Sequence, residues 1–257
     1  MDEDRTARGA ASDDASTDAR TDAPTAGSVG PEGYTGDVAE GGASDARVLP
    51  SLVIRKASVG SMDNNAYLLT CRCSGAQMLI DAAADAPRLM RLVREGSPAS
   101  RLDTVVTTHS HHDHVGALAA VVRQTGARTA AGADDVAVIE EQTQVETGTP
   151  LSDGDVIRVG VHDLEVIGLR GHTPGSIALL WRGGDDGDHL FTGDSLFPGG
   201  VGATKGDADR FAQLIDDVEH RIFDRLPDET WVYPGHGADT TLGAERPHVP
   251  AWRERGW

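Results

Sequence analysis

The chain has 257 residues, of which 39% are hydrophobic and 25% charged, enough for one or two domains with a sizeable core. Acidic residues outnumber basic ones 41 to 23, a formal charge of -18 that repels phosphate backbones and anionic membrane surfaces and argues against nucleic-acid or lipid partners. No run approaches the roughly 18–20 apolar residues that span a bilayer, and the N-terminus lacks the basic-then-apolar start of a secretory signal, so a soluble, cytoplasmic protein is expected.

Residues 1–46 hold eleven acidic and three basic residues with a single aromatic, Tyr34, and carry -8 of the -18. Such a composition buries too little apolar surface to offset its ordering entropy, which predicts a disordered acidic tail ahead of one catalytic domain over residues 47–257. Within that domain Val53-Ile54-Arg55, Ala66 to Thr70 and Gln77 to Ile80 read as strands, the last two joined by a turn at Ser74-Gly75. Cys71 and Cys73 read as small side chains on one face of a strand, since a bridge over that spacing is strained. The spacing of Leu89, Leu92 and Val93 predicts a helix over Ala86–Glu95, stopped at Gly96. A short strand at Val105-Val106-Thr107 precedes a histidine-rich loop, and Val115 to Gln124 reads as a helix ending near Gly126. Strands follow at Asp155–Val159, Leu164–Leu169, Ile177–Trp181 and His189–Thr192, then a helix from Asp207 to about Arg225 and a last strand at Thr230–Tyr233. Strand clusters interleaved with helices predict a layered α/β domain.

The chemistry concentrates in His109-Ser110-His111-His112-Asp113-His114, four histidines and an aspartate within six residues of a strand end. Imidazole nitrogen and carboxylate oxygen suit Zn²⁺, and also iron and manganese. The His109-x-His111 spacing sets two imidazoles on one side of an extended segment, while Asp113 and His114 lie beyond the bend and can turn to a second ion. Three further strand ends carry a polar ligand beside glycine: His172 in Gly171-His172-Thr173-Pro174-Gly175, Asp194 after Gly193, and His236 between Gly235 and Gly237. Together they supply seven ligands, three for each of two divalent ions and one shared.

This pattern, His109-x-His111-x-Asp113-His114 with His172, Asp194 and His236 in order, resembles the metallo-β-lactamase-fold hydrolases over roughly residues 50–240. The resemblance implies a single-domain αββα sandwich with a binuclear site at one edge. It places His109, His111 and His172 on one ion, Asp113, His114 and His236 on the other, and Asp194 between them, with His112 a bystander. Met62 to Leu69 and Phe191 to Phe197 are similar to the glyoxalase II (hydroxyacylglutathione hydrolase) branch. Phe197 to Gly202, Glu245 to His248, Trp252 and Trp257 resemble its short actinobacterial members.

What the resemblance implies is a hydrolase in which a hydroxide bridging two ions, zinc first among them, attacks the thioester of an S-acyl (lactoyl) low-molecular-weight thiol. Asp113 is expected to double as proton acceptor, and a thiolate leaving group needs little protonation because thiols have pKa values near 8.5. Where glutathione-using members place a basic residue and a tyrosine, this chain has Ala203 and Lys205, and only about twenty residues follow His236. Another thiol carrier, such as mycothiol, is therefore expected. A mononuclear iron persulfide dioxygenase or a lactonase of the same fold are the alternatives. Zinc β-lactamases tend to carry cysteine where Asp194 stands, and nuclease members carry an inserted domain for which this length leaves no room.

Overall fold

A computed structural model describes residues 33–256 of the chain. The first sheet runs in chain order: β1 (Asp45–Val48), β2 (Leu52–Val59), β3 (Asn64–Cys71), β4 (Gln77–Ile80), β5 (Thr104–Thr107), β6 (Arg128–Gly132) and β7 (Thr149–Leu151). Its first three pairings are antiparallel and its last three parallel. The second sheet contains β8 (Val156–Val159), β9 (His162–Gly168), β10 (Ile177–Arg182) and β11 (Asp188–Gly193). After the small hairpin of β12 (Leu196–Phe197) and β13 (Gly200–Val201), β14 (Trp231–Pro234) and β15 (Thr240–Thr241) complete it in the order β15-β14-β11-β10-β9-β8.

Alternation along the central strands builds three apolar layers. Tyr67, Leu69 and Cys71 of β3 face Ile177, Leu179 and Trp181 of β10 between the sheets. Ala66 and Leu68 face outward, onto α1 (Ala86–Gly96) and α3 (Leu118–Thr125). On the other side Ala178 and Leu180 face α5 (Ala208–Val218) and α7 (Val249–Arg255). The helices start where the sequence supplies caps: the Asp85 side chain accepts from the Arg88 amide, and Asp207 accepts from the Asp209 and Arg210 amides. In α5, Phe211, Leu214, Ile215 and Val218 form one buried stripe at helical spacing. The result is the αββα sandwich expected from the resemblance.

Three expectations change. The helix over Val115–Gln124 is broken into α2 (His112–Val115) and α3, because the chain docks on the end of β4: the Ala117 amide donates to Ala82 O at 2.9 Å, and a Cβ on Gly116 would stand 2.8 Å from Ala83 O. Cys71 and Cys73 do not share a strand face, since Cys71 closes β3 and Cys73 lies in the following turn. The boundary of the expected tail at residue 46 also moves. Residues 1–32 lie outside the described residues, but 33–46 pack on the sandwich. Tyr34 is fully buried against Trp231 and Tyr233, its hydroxyl donates to Asp239 at 2.7 Å, and β1 begins at Asp45.

That segment is held by the buried Lys56, whose ammonium donates to Gly36 O and Gly237 O and lies 2.7 Å from Asp239 Oδ1. Both side chains of the pair are essentially inaccessible. Removing one partner of such a pair leaves an uncompensated buried charge, typically about 3–5 kcal/mol. Lys56→Met is therefore expected to lower unfolding stability by about that amount in urea titrations, whereas a solvated pair would move it by less than about 1 kcal/mol.

Candidate metal centre

The parallel strands β4, β5, β11 and β14 all end at one edge of the sandwich, and each end delivers a polar group. Asp81 follows β4, the His109–His114 segment follows β5, Asp194 follows β11 and His236 follows β14. His172 comes from the turn between β9 and β10. The two sheets are stitched together at this edge: the Asn65 amide donates to Gly235 O at 2.7 Å, its side chain to Pro234 O and Gly237 O, and the Tyr67 hydroxyl to Pro234 O.

All seven expected ligands converge. His109, His111, His172 and Asp194 form one group and Asp113, His114 and His236 a second, with the ligand atoms of each group within 4.8 Å of one another. Asp194 stands between them: Oδ2 lies 3.5 Å from His172 Nε2, 3.9 Å from His109 Nε2 and 3.4 Å from His236 Nε2, while Oδ1 is 3.3 Å from His114 Nε2. His109 Nε2 and His111 Nδ1 are 3.1 Å apart, and His114 Nε2 and His236 Nε2 3.2 Å. Donors about 2.0–2.1 Å from one tetrahedral ion lie roughly 3.3 Å apart, so both groups fit a divalent cation. Two buried atoms aimed into the cluster, His172 Nε2 and Asp194 Oδ1, have no hydrogen-bond partner. A cation answers both. His112 is exposed, its side chain largely in solvent.

The rings are aimed from behind. His172 Nδ1 pairs with Ala203 O at 2.9 Å and His236 Nδ1 with Met62 O at 2.8 Å, which fixes the tautomer that leaves each Nε2 free. His114 Nδ1 is 2.9 Å from Asp81 Oδ2, and the same carboxylate accepts from the amide and hydroxyl of Thr108, both at 2.8 Å. Asp135 accepts from the Ser110 amide, the Thr173 hydroxyl and the Gly175 amide, tying the histidine loop to the His172 turn. Asn64 Nδ2 donates to Asp113 Oδ2 at 2.9 Å. These supporting residues are absent from the sequence-derived site. Two of them carried a signal: Asp81, like Asp194, is a carboxylate directly after a strand, and Asn64 lies in the Met62–Leu69 stretch.

Charge in the cluster follows burial first. Burial, reinforced by the neighbouring imidazoles, pushes His109 well below the usual histidine range and His111 down to about 4. Burial acts the same way on His114, but Asp81 and Asp194 outweigh it and raise it to about 10. Burial would raise Asp194, yet His114, His172 and His236 hold it well below the usual carboxylate range. Asp194 likewise outweighs burial at His236 and raises it, so the carboxylate favours positive charge on the groups around it.

Residues 60–236 match the family model described as the metallo-beta-lactamase superfamily. A hydroxyacylglutathione hydrolase of Polaromonas sp. (strain JS666) is 34% identical over 174 residues, covering 66% of this chain and 60% of that protein. The chain spans about three fifths of the length of the named hydrolases of this kind that it matches first. Among solved structures, ETHE1 from Myxococcus xanthus aligns with a TM-score of 0.64 and 29% identity over 78% of this chain and 84% of that one. TTHA1623 in a di-iron-bound form aligns at 0.61 and 29%, over 74% and 96%.

The Asp81 contacts carry a prediction. In Asp81→Asn an amide N–H₂ replaces one carboxylate oxygen, and either Thr108 or His114 loses its acceptor. Metal affinity, read by chelator competition, is expected to fall about 10–100-fold with the fold retained. Unchanged affinity would show that His114 needs no such support.

Proposed function

The chain belongs to the metallo-β-lactamase superfamily, and from that premise we propose that it is a two-metal thioesterase of glyoxalase II type, hydrolysing S-acyl derivatives of a low-molecular-weight thiol. The observation that carries this reading is Asp194, one carboxylate whose two oxygens face two complete trios of ligands. His109, His111 and His172 would hold one ion, Asp113, His114 and His236 the other, and Asp194 both. Zinc suits this nitrogen and oxygen set, as do iron and manganese. Bound there, the ions supply Lewis acidity towards a carbonyl and lower the pKa of a water to near neutrality.

The chain's own residues do the rest. Asn64 donates to Asp113 Oδ2, which stands 3.3 Å from His236 Nε2, so that oxygen is held in the second trio and Oδ1 is the one left to accept a proton in the proposed reaction. Burial raises the Asp113 carboxyl, but the Asn64 hydrogen bond and the charges of His114 and His236 outweigh it and lower it, which keeps the group ionised. A thiolate departs without a dedicated acid. Lys205 is exposed on the loop after β13, and its charge reaches His111. We assign it to pairing with an anionic group on the thiol carrier, a role that raises encounter and orientation rather than the chemical step. The similarity to named hydroxyacylglutathione hydrolases supports the reaction class. The alternative, a single-iron dioxygenase, leaves Asp113, His114 and His236 without a common task, although their ligand atoms converge at 3.2–3.7 Å.

Reconstituted protein is expected to hydrolyse the S-lactoyl thioester of one thiol among a panel, with activity lost on EDTA treatment and restored by metal. Hydrolysis of lactones alone, or consumption of oxygen with a persulfide, would overturn the thioesterase reading. Lys205→Ala is expected to raise KM about tenfold for an anionic carrier, equivalent to ~1.4 kcal/mol, with kcat little changed. A fall in kcat at constant KM would remove Lys205 from carrier binding.

A further inference from the structure

The β3–β4 hairpin carries a second cluster of reactive side chains, outside the metal centre and at the opposite end of β3 from Asn64. Its turn is closed by the Gly75 amide on Cys71 O at 2.8 Å and the Cys71 amide on Ala76 O at 2.9 Å. Inside that turn the sulfurs of Cys71 and Cys73 stand 3.3 Å apart. Cys71 is buried and Cys73 exposed, so one sulfur is sheltered and the other meets solvent. Gly160, in the β8–β9 turn of the other sheet, closes over the first: a Cβ there would lie 2.5 Å from Cys71 Sγ and from Ser74 Oγ. The backbone of one sheet thus packs directly on the sulfur of the other, holding it beside its partner. No other cysteine exists in the chain.

We propose that Cys71 and Cys73 form a reversible dithiol–disulfide site that takes its oxidising equivalents from a low-molecular-weight disulfide. Closing the bridge moves the sulfurs from 3.3 Å to about 2.05 Å. The ring spans a single intervening residue, Arg72, and such a short bridge is strained. Strained bridges have more oxidising potentials and are the labile ones. The site therefore acts as an exchangeable couple and not as a staple.

The protonation of the pair suits exchange. Burial pushes the Cys71 thiol up, but hydrogen bonds from Ser74, the Val161 amide and Cys73 outweigh it and bring it down to about 6, while the hydrogen bond to Cys71 raises Cys73. Cys71, 3.3 Å away, is thereby the proton acceptor for Cys73, whose exposed sulfur is the one that meets a disulfide from solvent. In the reaction the exposed Cys73 sulfur attacks the disulfide RSSR as its proton passes to Cys71, forming Cys73–S–S–R and releasing RS⁻. That thiolate takes the proton back from Cys71 and leaves as RSH. The Cys71 thiolate then attacks Cys73 Sγ, forming the intrachain disulfide and expelling the second RS⁻. The protein is oxidised by two electrons and RSSR reduced by two.

The test uses the full chain, reduced and then incubated with oxidised glutathione. Trypsin cuts after Lys56, Arg72 and Arg88, so the two cysteines leave on peptides 57–72 and 73–88. The expected product is these peptides joined, in monomeric protein, with both free thiols lost together and both recovered in millimolar reduced glutathione. Cys71→Ser is expected to stop at a mixed disulfide on Cys73, and Cys73→Ser to react at least tenfold more slowly than the parent. Two thiols that stay free, a parent chain that stops at the mixed disulfide, or a bridge between chains would each overturn the proposal.

Discussion

Asp194 is a carboxylate within 4 Å of four imidazoles, almost withdrawn from water, and the site is organised around the problem this poses. A buried carboxylate is tolerated only with compensating charge and hydrogen bonds. Here His114, His172 and His236 surround the carboxylate and hold it well below the usual range, and cations bound there would supply further positive charge. The backbone accepts the crowding through glycine. A Cβ at Gly235 would stand 2.1 Å from Asp194 Oδ1, and one at Gly202 only 1.8 Å from Asp194 O. The cradle is thus built for this one side chain, and the ligands of both trios are placed with respect to it.

The placement depends on both sheets. His109, His111, Asp113 and His114 come from the first sheet and His172, Asp194 and His236 from the second, so no trio exists until the sandwich closes. Asn65 and Tyr67 hold the β14 end against β3, and the Ile177 amide reaches Thr108 O at 3.0 Å, linking β10 to the histidine loop. Asp135 and Asp81 then fix the loop and the His114 ring. Lys56 and Asp239 act further back, joining the strand before Asn64 to the turn after His236 and to Gly36. Folding energy and ligand geometry are carried by the same contacts.

The seven clustered residues were legible because metal chemistry restricts residue type, because four of them crowd into the six residues His109–His114, and because His172, Asp194 and His236 each lie beside glycine. The central strands were legible from their alternation, and α1 and α5 from their stripes and caps. Asp81 and Asp135 were not, since an aspartate that accepts hydrogen bonds from behind a ligand looks like any loop aspartate until the loops are brought together. β6 was missed because Thr129, Ala130 and Ala131 have little strand signal of their own, and pairing with β5 makes the strand. The Tyr34 segment was misjudged for a different reason. Averaged composition describes entropy well, but one aromatic in a slot formed by Trp231 and Tyr233, with a partner for its hydroxyl, anchors a glycine-rich acidic segment.

In the proposed centre one carboxylate, Asp194, joins two separate cation sites. Metal content per chain, measured by mass spectrometry on zinc-loaded protein after gel filtration, tests it most directly when His172→Ala and His236→Ala are compared with the parent. About two ions are expected in the parent and about one in each variant, because each substitution disables one trio and leaves the other with Asp194. A parent chain that binds one ion, with His236→Ala binding as much, would contradict the two-site claim and move the weight to a mononuclear centre.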